Sequence, residues 1–376
     1  MSGKLLRILW LQWRDVRHPW RGGAEFFADG LIRSLVHRGF EVTLVSSWFK
    51  GLPWKEHGDY QIVRVADHDR YILHVPKILR NFVKEVDVVV EDTSKVPLYT
   101  PFLRREKKPV IALVHHLNRE IYFEELPPTK ALLAYLMETF MPPLYTKCRQ
   151  TCFVAVSKST RNELIKMGAT PEKITVVSNG VDANTYKPKT NSLMEQKAEK
   201  PLILYVSRLK KYKRPHHAIL AFREVVKSVP EAKLVVVGDG DVMDELRRLS
   251  RSLRLENKVC IKGWVSTEEK VELMQKSWVL VQTSKKEGFG LTVLEANACG
   301  TPAVGYDVPG LRDSIRHGET GILVPSGDVE TLAEAITTLL LDDGFREKLS
   351  RNALEWSKQF SWDRSAEEFE KVVEGR

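Results

Sequence analysis

Short runs of consecutive apolar residues recur along the chain, separated by longer stretches whose apolar positions follow helical spacing. Ile8–Leu11, Glu41–Ser46, Gln61–Val65, Val86–Val90, Val110–Val114 and Thr151–Val156 read as buried strands, with amphipathic helices such as Glu25–Arg38 between them. A second series follows the polar stretch Lys187–Lys200: Leu202–Val206, Lys233–Val237, Val259–Ile261, Val279–Gln282, Ala303–Tyr306 and Gly321–Val324. Strands that are apolar throughout are covered on both faces, and helices between them make crossover connections. The pattern therefore predicts an α/β protein with two doubly wound parallel-sheet domains in series. The predicted boundaries are 1–186 and 199–360, with a last helical region over 361–376. No tandem repeat or low-complexity tract interrupts the series.

Composition agrees with this organisation. A chain of 376 residues with 43% hydrophobic content is too long for one ordinary core and too apolar for disorder. No apolar run approaches the roughly 18 residues of a spanning helix, and Leu5–Leu11 is too short and too soon charged for a signal peptide. The expectation is a cytoplasmic protein, soluble or peripheral on the cytoplasmic face of a membrane. Cys148, Cys152, Cys260 and Cys299 form no C-x-x-C pair and read as reduced structural thiols.

Charge is distributed unevenly. Residues 1–190 hold 29 Lys+Arg against 20 Asp+Glu, whereas residues 191–376 hold 29 against 29, so the excess of +9 lies in the first half. The run Arg104-Arg105-Glu106-Lys107-Lys108, with Lys77, Arg80 and Lys84, could meet anionic headgroups at about 1 kcal/mol per basic residue. A solvated positive surface is the plain alternative. Nucleic acid fits the sign, but no reader motif or stacking platform accompanies it, and it is not an expected partner. The segment Ala131–Tyr145 is apolar enough to be core or an interfacial element, with core the expectation.

Ligands of doubly wound sheets bind beyond the carboxyl ends of strands, so the loops there carry the candidate chemistry. After the strand ending at Gln282, Glu287 precedes Gly288, Phe289, Gly290 and Leu291, and Glu295 lies about two turns into the following helix at roughly 3.6 residues per turn. Amides at a helix N-terminus favour phosphate, and carboxylates accept from hydroxyls, so the segment points to a sugar nucleotide. A surface loop with a carboxylate answering the helix dipole is the bland alternative. After the first strand, Gly22 and Gly23 permit close backbone approach, although the full G-x-G-x-x-G is missing. His115 and His116 follow Val110–Val114, and a cationic loop, Ser207–Arg214, follows Leu202–Val206. Gly238-Asp239-Gly240 makes a tight turn that could admit a base or phosphate.

Taken in order, Gly22-Gly23-Ala24-Glu25, His115, Val156–Ser159, Ser178–Asp182, Arg208 with Lys213, Gly238–Gly240 and Glu287-x7-Glu295 resemble the GT-B glycosyltransferases, and among them the retaining family 4 enzymes. The resemblance covers nearly the whole chain. It implies two Rossmann-like domains facing each other across a cleft, with the helical region 361–376 packing back on the first. By position, Glu295 looks like the carboxylate on the ribose and Glu287 like the one approaching the donor sugar. Arg208 and Lys213 look like the pyrophosphate pair, helped by amides around Gly288, Phe289, Gly290 and Leu291. Gly23, with Gly22, resembles the first-domain glycine at the donor phosphate, and His115 the histidine beside the sugar. The base would lie near Lys262-Gly263-Trp264. His116 stands where many relatives have Asp.

The implied activity is transfer of a hexose from a nucleoside-diphosphate sugar to a lipid-linked or membrane glycan acceptor, forming an α-glycosidic bond. Lys262 beside the base tilts the expected donor toward GDP-mannose over a UDP-hexose. No cofactor is required and no protein motif holds a metal, magnesium acting at most as a stimulant. Glu287 as nucleophile of a double displacement, a UDP-hexose enzyme with a soluble acceptor, and a sugar-nucleotide epimerase of the same architecture remain open.

Overall fold

A computed structural model describes residues 6–103 and 108–375. Of the basic run Arg104–Lys108, only Lys108 lies within the described residues. The chain forms two compact units, one running to Gly180 and resuming at Trp362, the other spanning Val181–Ser361.

The first unit is built on β1 (Arg7–Leu11), β2 (Glu41–Trp48), β3 (Lys55–His57), β4 (Gln61–Asp67), β5 (Val88–Asp92), β6 (Val110–Val114), β7 (Thr151–Ala155) and β8 (Ile174–Val176). Their order is β3-β4-β2-β1-β5-β6-β7-β8, and every pairing is parallel except β3 on β4. Every residue of β5, β6 and β7 is buried, as parallel strands covered on both faces require. Strand β5 runs two residues beyond the expected Val90 and carries Glu91 and Asp92 into the interior. Glu91 is tolerated there because it accepts hydrogen bonds from the amides of Leu98 and Thr100 and from the hydroxyls of Thr100 and Tyr145.

The second unit contains β9 (Leu202–Val206), β10 (Lys233–Val237), β11 (Val259–Gly263), β12 (Val279–Gln282), β13 (Ala303–Tyr306) and β14 (Gly321–Val324). These form a fully parallel sheet in the order β11-β10-β9-β12-β13-β14. In each unit the strand order reverses beside the first strand, between β1 and β5 and between β9 and β12. Loops beyond those strand ends are where such sheets take ligands.

The helix Trp362–Glu374 belongs to the first unit. A side chain at Gly30, inside the helix Gly23–His37, would come within 2.4 Å of the Trp362 ring. Glycine in a helix costs about 0.5–1 kcal/mol; here the bare position seats an indole. Trp10 stacks on Phe369 at 5.7 Å between ring centroids, and Arg38 donates to Glu370 at 2.6 Å.

The polar stretch Lys187–Lys200 is not a solvated linker between the units. It is part of the second unit, whose start at Val181 precedes the expected boundary. Gln196 donates to the Cys299 carbonyl at 2.8 Å, and the Lys197 ammonium donates to the Gly300 carbonyl and the Thr301 hydroxyl. Burial pushes the Lys197 amine down to about 7. The unfolded chain then binds one more proton than the folded one between about pH 7 and the ordinary value of 10.5, so stability rises with pH across that window. In Lys197→Met that rise should vanish. Melting temperatures at pH 6.5 and 9 should show the parent gaining on the variant; parallel profiles would refute the burial.

Candidate active site

Each unit carries its own set of candidate residues. In the second unit, the loop after β9 is held against the loop after β10 by backbone hydrogen bonds: Ser207 N–H to Val237 O at 3.1 Å and Leu209 N–H to Asp239 O at 2.9 Å. This close approach explains the glycines. Gly238 has φ +137°, and a Cβ there would sit 1.8 Å from Ser207 O; at Gly240 it would sit 2.3 Å from Leu209 O. The space read as room for a base or phosphate at Gly238 is therefore filled by the backbone around Arg208. The glycine acts by positioning that loop.

Lys213 ends a short 3-10 turn, Lys211–Lys213, and is followed by Arg214 in the left-handed region at φ +49°. Its carbonyl accepts from the hydroxyls of Tyr205 and Thr283, both at 3.0 Å. Only 9% of the residue is exposed, so its ammonium needs a partner, and it finds Glu287 Oε1 at 2.5 Å. The same oxygen accepts from Ser284 Oγ at 2.5 Å. Arg208 donates to the Tyr212 hydroxyl at 3.2 Å, and Lys213 lies over the Tyr212 ring at 5.1 Å, so Tyr212 lies between the two cations.

Glu287 is set by its own backbone, whose N–H donates to Pro309 O at 3.1 Å. The fit leaves no side-chain room at Gly310, where a Cβ would lie 2.3 Å from Glu287 O. Three residues on, Gly290 at φ +90° caps the helix Leu291–Ala298. Phe289 is buried and packs edge-on against Phe360, which leaves its N–H, with those of Gly288, Gly290 and Leu291, as the chemistry of this turn. Glu295 is buried on that helix, with the Lys270 ammonium at 2.9 Å and the Tyr186 hydroxyl bonded to it. Burial first, then the charge of Glu295, pushes the Tyr186 phenol up. The two glutamates thus have separate partners. Lys270 and Tyr186 carried no signal in the sequence, the one lying in an ordinary charged helix and the other at the edge of the polar stretch. Lys262 pairs with Glu269 at 2.6 Å, and the carbonyl of Gly263 accepts from the Gly238 amide.

In the first unit, Gly22 caps the helix Gly23–His37, and Glu25 reaches back to its amide at 2.5 Å while accepting from Arg14 at 2.9 Å. A Cβ on Gly23 would meet nothing within 4 Å, and its φ lies outside the left-handed range, so the fold itself does not require glycine there. His115 Nε2 lies 3.2 Å from both carboxylate oxygens of Asp92 and edge-on to Phe27. Burial pushes the Asp92 carboxyl up, against the opposing pull of His115. His116 is turned to Asn118 Oδ1 at 3.1 Å.

Beyond the ends of β1, β2 and β4 lies a cluster that sequence inspection missed. His18, Trp20, Phe49 and His68 pack ring to ring, with Trp13 against His68. His18 Nδ1 accepts from the Trp20 amide, so Nε2 carries the hydrogen, and it is buried without a partner among the described residues. Burial, then the charge of Arg14, pushes His18 down to about 4. Trp20 and Trp54 are exposed, whereas Trp10 and Trp13 are core.

The family profile described as Glycosyltransferase Family 4 matches residues 21–185, and that described as Glycosyl transferases group 1 matches residues 189–356. The chain belongs to the family 4, group 1 glycosyltransferases of GT-B fold, and it is a transferase enzyme. An uncharacterized glycosyltransferase of Methanocaldococcus jannaschii is 28% identical over 92% of this chain and 93% of its own. A D-inositol 3-phosphate glycosyltransferase of Corynebacterium aurimucosum is 32% identical over 58% of this chain, a match spanning 55% of that protein. Among solved structures, the sucrose-phosphate synthase of Thermosynechococcus elongatus superposes with a TM-score of 0.82 at 21% identity, covering 98% of each chain.

The two kinds of glycine make opposite predictions. Gly238→Ala should destabilise by about 3 kcal/mol through strain and backbone collision, and should be read as a lowered melting temperature. Gly23→Ala should melt like the parent and lose kcat/KM. A stable Gly238→Ala, or an active Gly23→Ala, would reverse these assignments.

Proposed function

We propose that the protein is a retaining hexosyltransferase that moves a hexose from a nucleoside-diphosphate sugar to a lipid-linked or membrane glycan, forming an α-glycosidic bond. The observation that carries the reading is the buried Lys213 ammonium, 2.5 Å from Glu287, on the loop that also presents Arg208. Cleaving a sugar–phosphate bond builds negative charge on the leaving diphosphate. Fixed cations and the amides of Gly288–Leu291 stabilise that charge without reorganising. Glu287 positions Lys213 and faces the donor sugar, and the Lys270-supported Glu295 accepts from the ribose hydroxyls. In the first unit, Gly22 and Gly23 are the glycines that the resemblance assigns to the donor phosphate, and Asp92 holds His115, the histidine it assigns to the donor sugar. The acceptor attacks from the face that the diphosphate leaves, and a phosphate oxygen takes its proton. With cations supplied by the chain, no metal is needed for the step.

The donor we favour is GDP-mannose. Lys262 is not a lone cation but half of an ion pair with Glu269, and this pair offers one donor beside a two-oxygen acceptor. Guanine, with a carbonyl acceptor and two adjacent N–H donors, can use all of it, whereas uracil presents a single N–H. A membrane acceptor is supported by the positive excess in the first half of the chain and by exposed Lys77, Arg80 and Lys84.

Melting curves with GDP, UDP and ADP, in EDTA, test the donor and the metal together. GDP should raise the melting temperature most, and turnover of GDP-mannose should persist in EDTA. A response to UDP alone would remove the mannose reading, and abolition by EDTA would remove the metal-free one.

A further inference from the structure

The helix Pro128–Lys147 has two apolar faces, and the core uses only one. Ala131, Ala134, Glu138, Met141 and Tyr145 are buried, at the i, i+3, i+7 spacing of a single stripe. That side is locked by polar contacts: Glu138 accepts from the amides of Asn118 and Arg119 at 2.7 Å, and Tyr145 donates to Glu91 at 2.7 Å. On the other side, Leu132, Leu133, Leu136, Phe140 and Leu144 are between 37% and 61% exposed. At 3.6 residues per turn these five fall within roughly 120° of arc, on the face opposite the buried stripe. Phe123 and Leu126, just before the helix, are exposed as well. Nine of the fifteen large hydrophobic side chains exposed among the described residues lie between Phe102 and Leu144, so the surface apolarity is concentrated rather than scattered.

We propose that this face seats the first unit on an anionic lipid bilayer, the leucine and phenylalanine side chains entering the headgroup boundary with the helix in the membrane plane. Charge selects the occupant. The helix carries three charged side chains, Lys130, Glu138 and Lys147; Glu138 is buried on backbone amides, which leaves positive charge at both ends of the helix. Arg149 and Lys166 are exposed close by in sequence, and the half of the chain that contains them has the whole +9 excess. Anionic headgroups complement lysines flanking an apolar arc. A second copy packed on the same face would instead bring like-charged lysine ends together. No helix among the described residues is long and apolar enough to cross a membrane, so the contact lies along the surface.

The inference rests on the membrane-acceptor reading for its biological purpose, but its test needs neither donor nor acceptor. The full chain is sedimented with vesicles of phosphatidylcholine alone and of phosphatidylcholine with phosphatidylglycerol. The parent should bind the anionic vesicles in preference. Leu133→Glu with Phe140→Glu should lower that binding by roughly tenfold or more, while the melting temperature and its shift with GDP stay unchanged. Lys130→Ala with Lys147→Ala should weaken binding to the anionic vesicles only. Unchanged sedimentation of the Leu133/Phe140 variant would overturn the proposal. So would a parent that ignores vesicles and elutes as a dimer which that variant converts to monomer. Either failure leaves the nucleotide response, and with it the glycosyltransferase reading, standing.

Discussion

The second unit's chemistry depends on one ammonium taken out of water. A lysine 9% exposed cannot stay charged without a partner within hydrogen-bond reach, and Lys213 has Glu287. Much of the neighbouring backbone serves that contact. Arg214 takes the left-handed conformation that turns the loop, the Thr283 hydroxyl donates to the carbonyls of Lys213 and Arg214, and Gly310 leaves room for the Glu287 main chain. The result is a fixed positive charge beside a helix N-terminus. A diphosphate entering there meets dipoles and cations already oriented, so little reorganisation remains for the reaction itself.

The buried parallel strands were legible because they are apolar throughout, and β6, β9, β10, β12, β13 and β14 begin and end where their residues predict. Strand β3 escaped notice because Lys55-Glu56-His57 is polar and exists only through antiparallel pairing with β4, and β8 because three residues carry too little pattern. The polar composition of Lys187–Lys200 concealed Gln196 and Lys197, whose long side chains reach carbonyls more than 100 positions away in sequence. Order and spacing of Arg208, Lys213, Glu287 and Glu295 were legible as a set. Their partners were not: Ser284, Lys270 and Tyr186 are selected by tertiary packing, and no local rule marks them.

Glycine illustrates the same division. Gly238 and Gly23 look alike in sequence, both in the connection that follows a strand and both candidates for close ligand approach. In the structure the first is bare because Ser207 fills its space, while the second has open space around it. The helix Pro128–Lys147 is the counterpart on a larger scale. Its apolar composition admitted core or interface, and the two readings turn out to be opposite faces of one element.

The central claim is that the Lys213 charge, held by Glu287, stabilises the departing diphosphate. Its most direct test is the single-turnover rate of glycosyl transfer in Lys213→Ala, with Lys213→Ala/Glu287→Gln as a companion that leaves no unpaired buried carboxylate. For both variants the account predicts a chemical step slower by about 10²–10³, with a folded protein that still binds nucleotide. Turnover within a few-fold of the parent in either variant would contradict it.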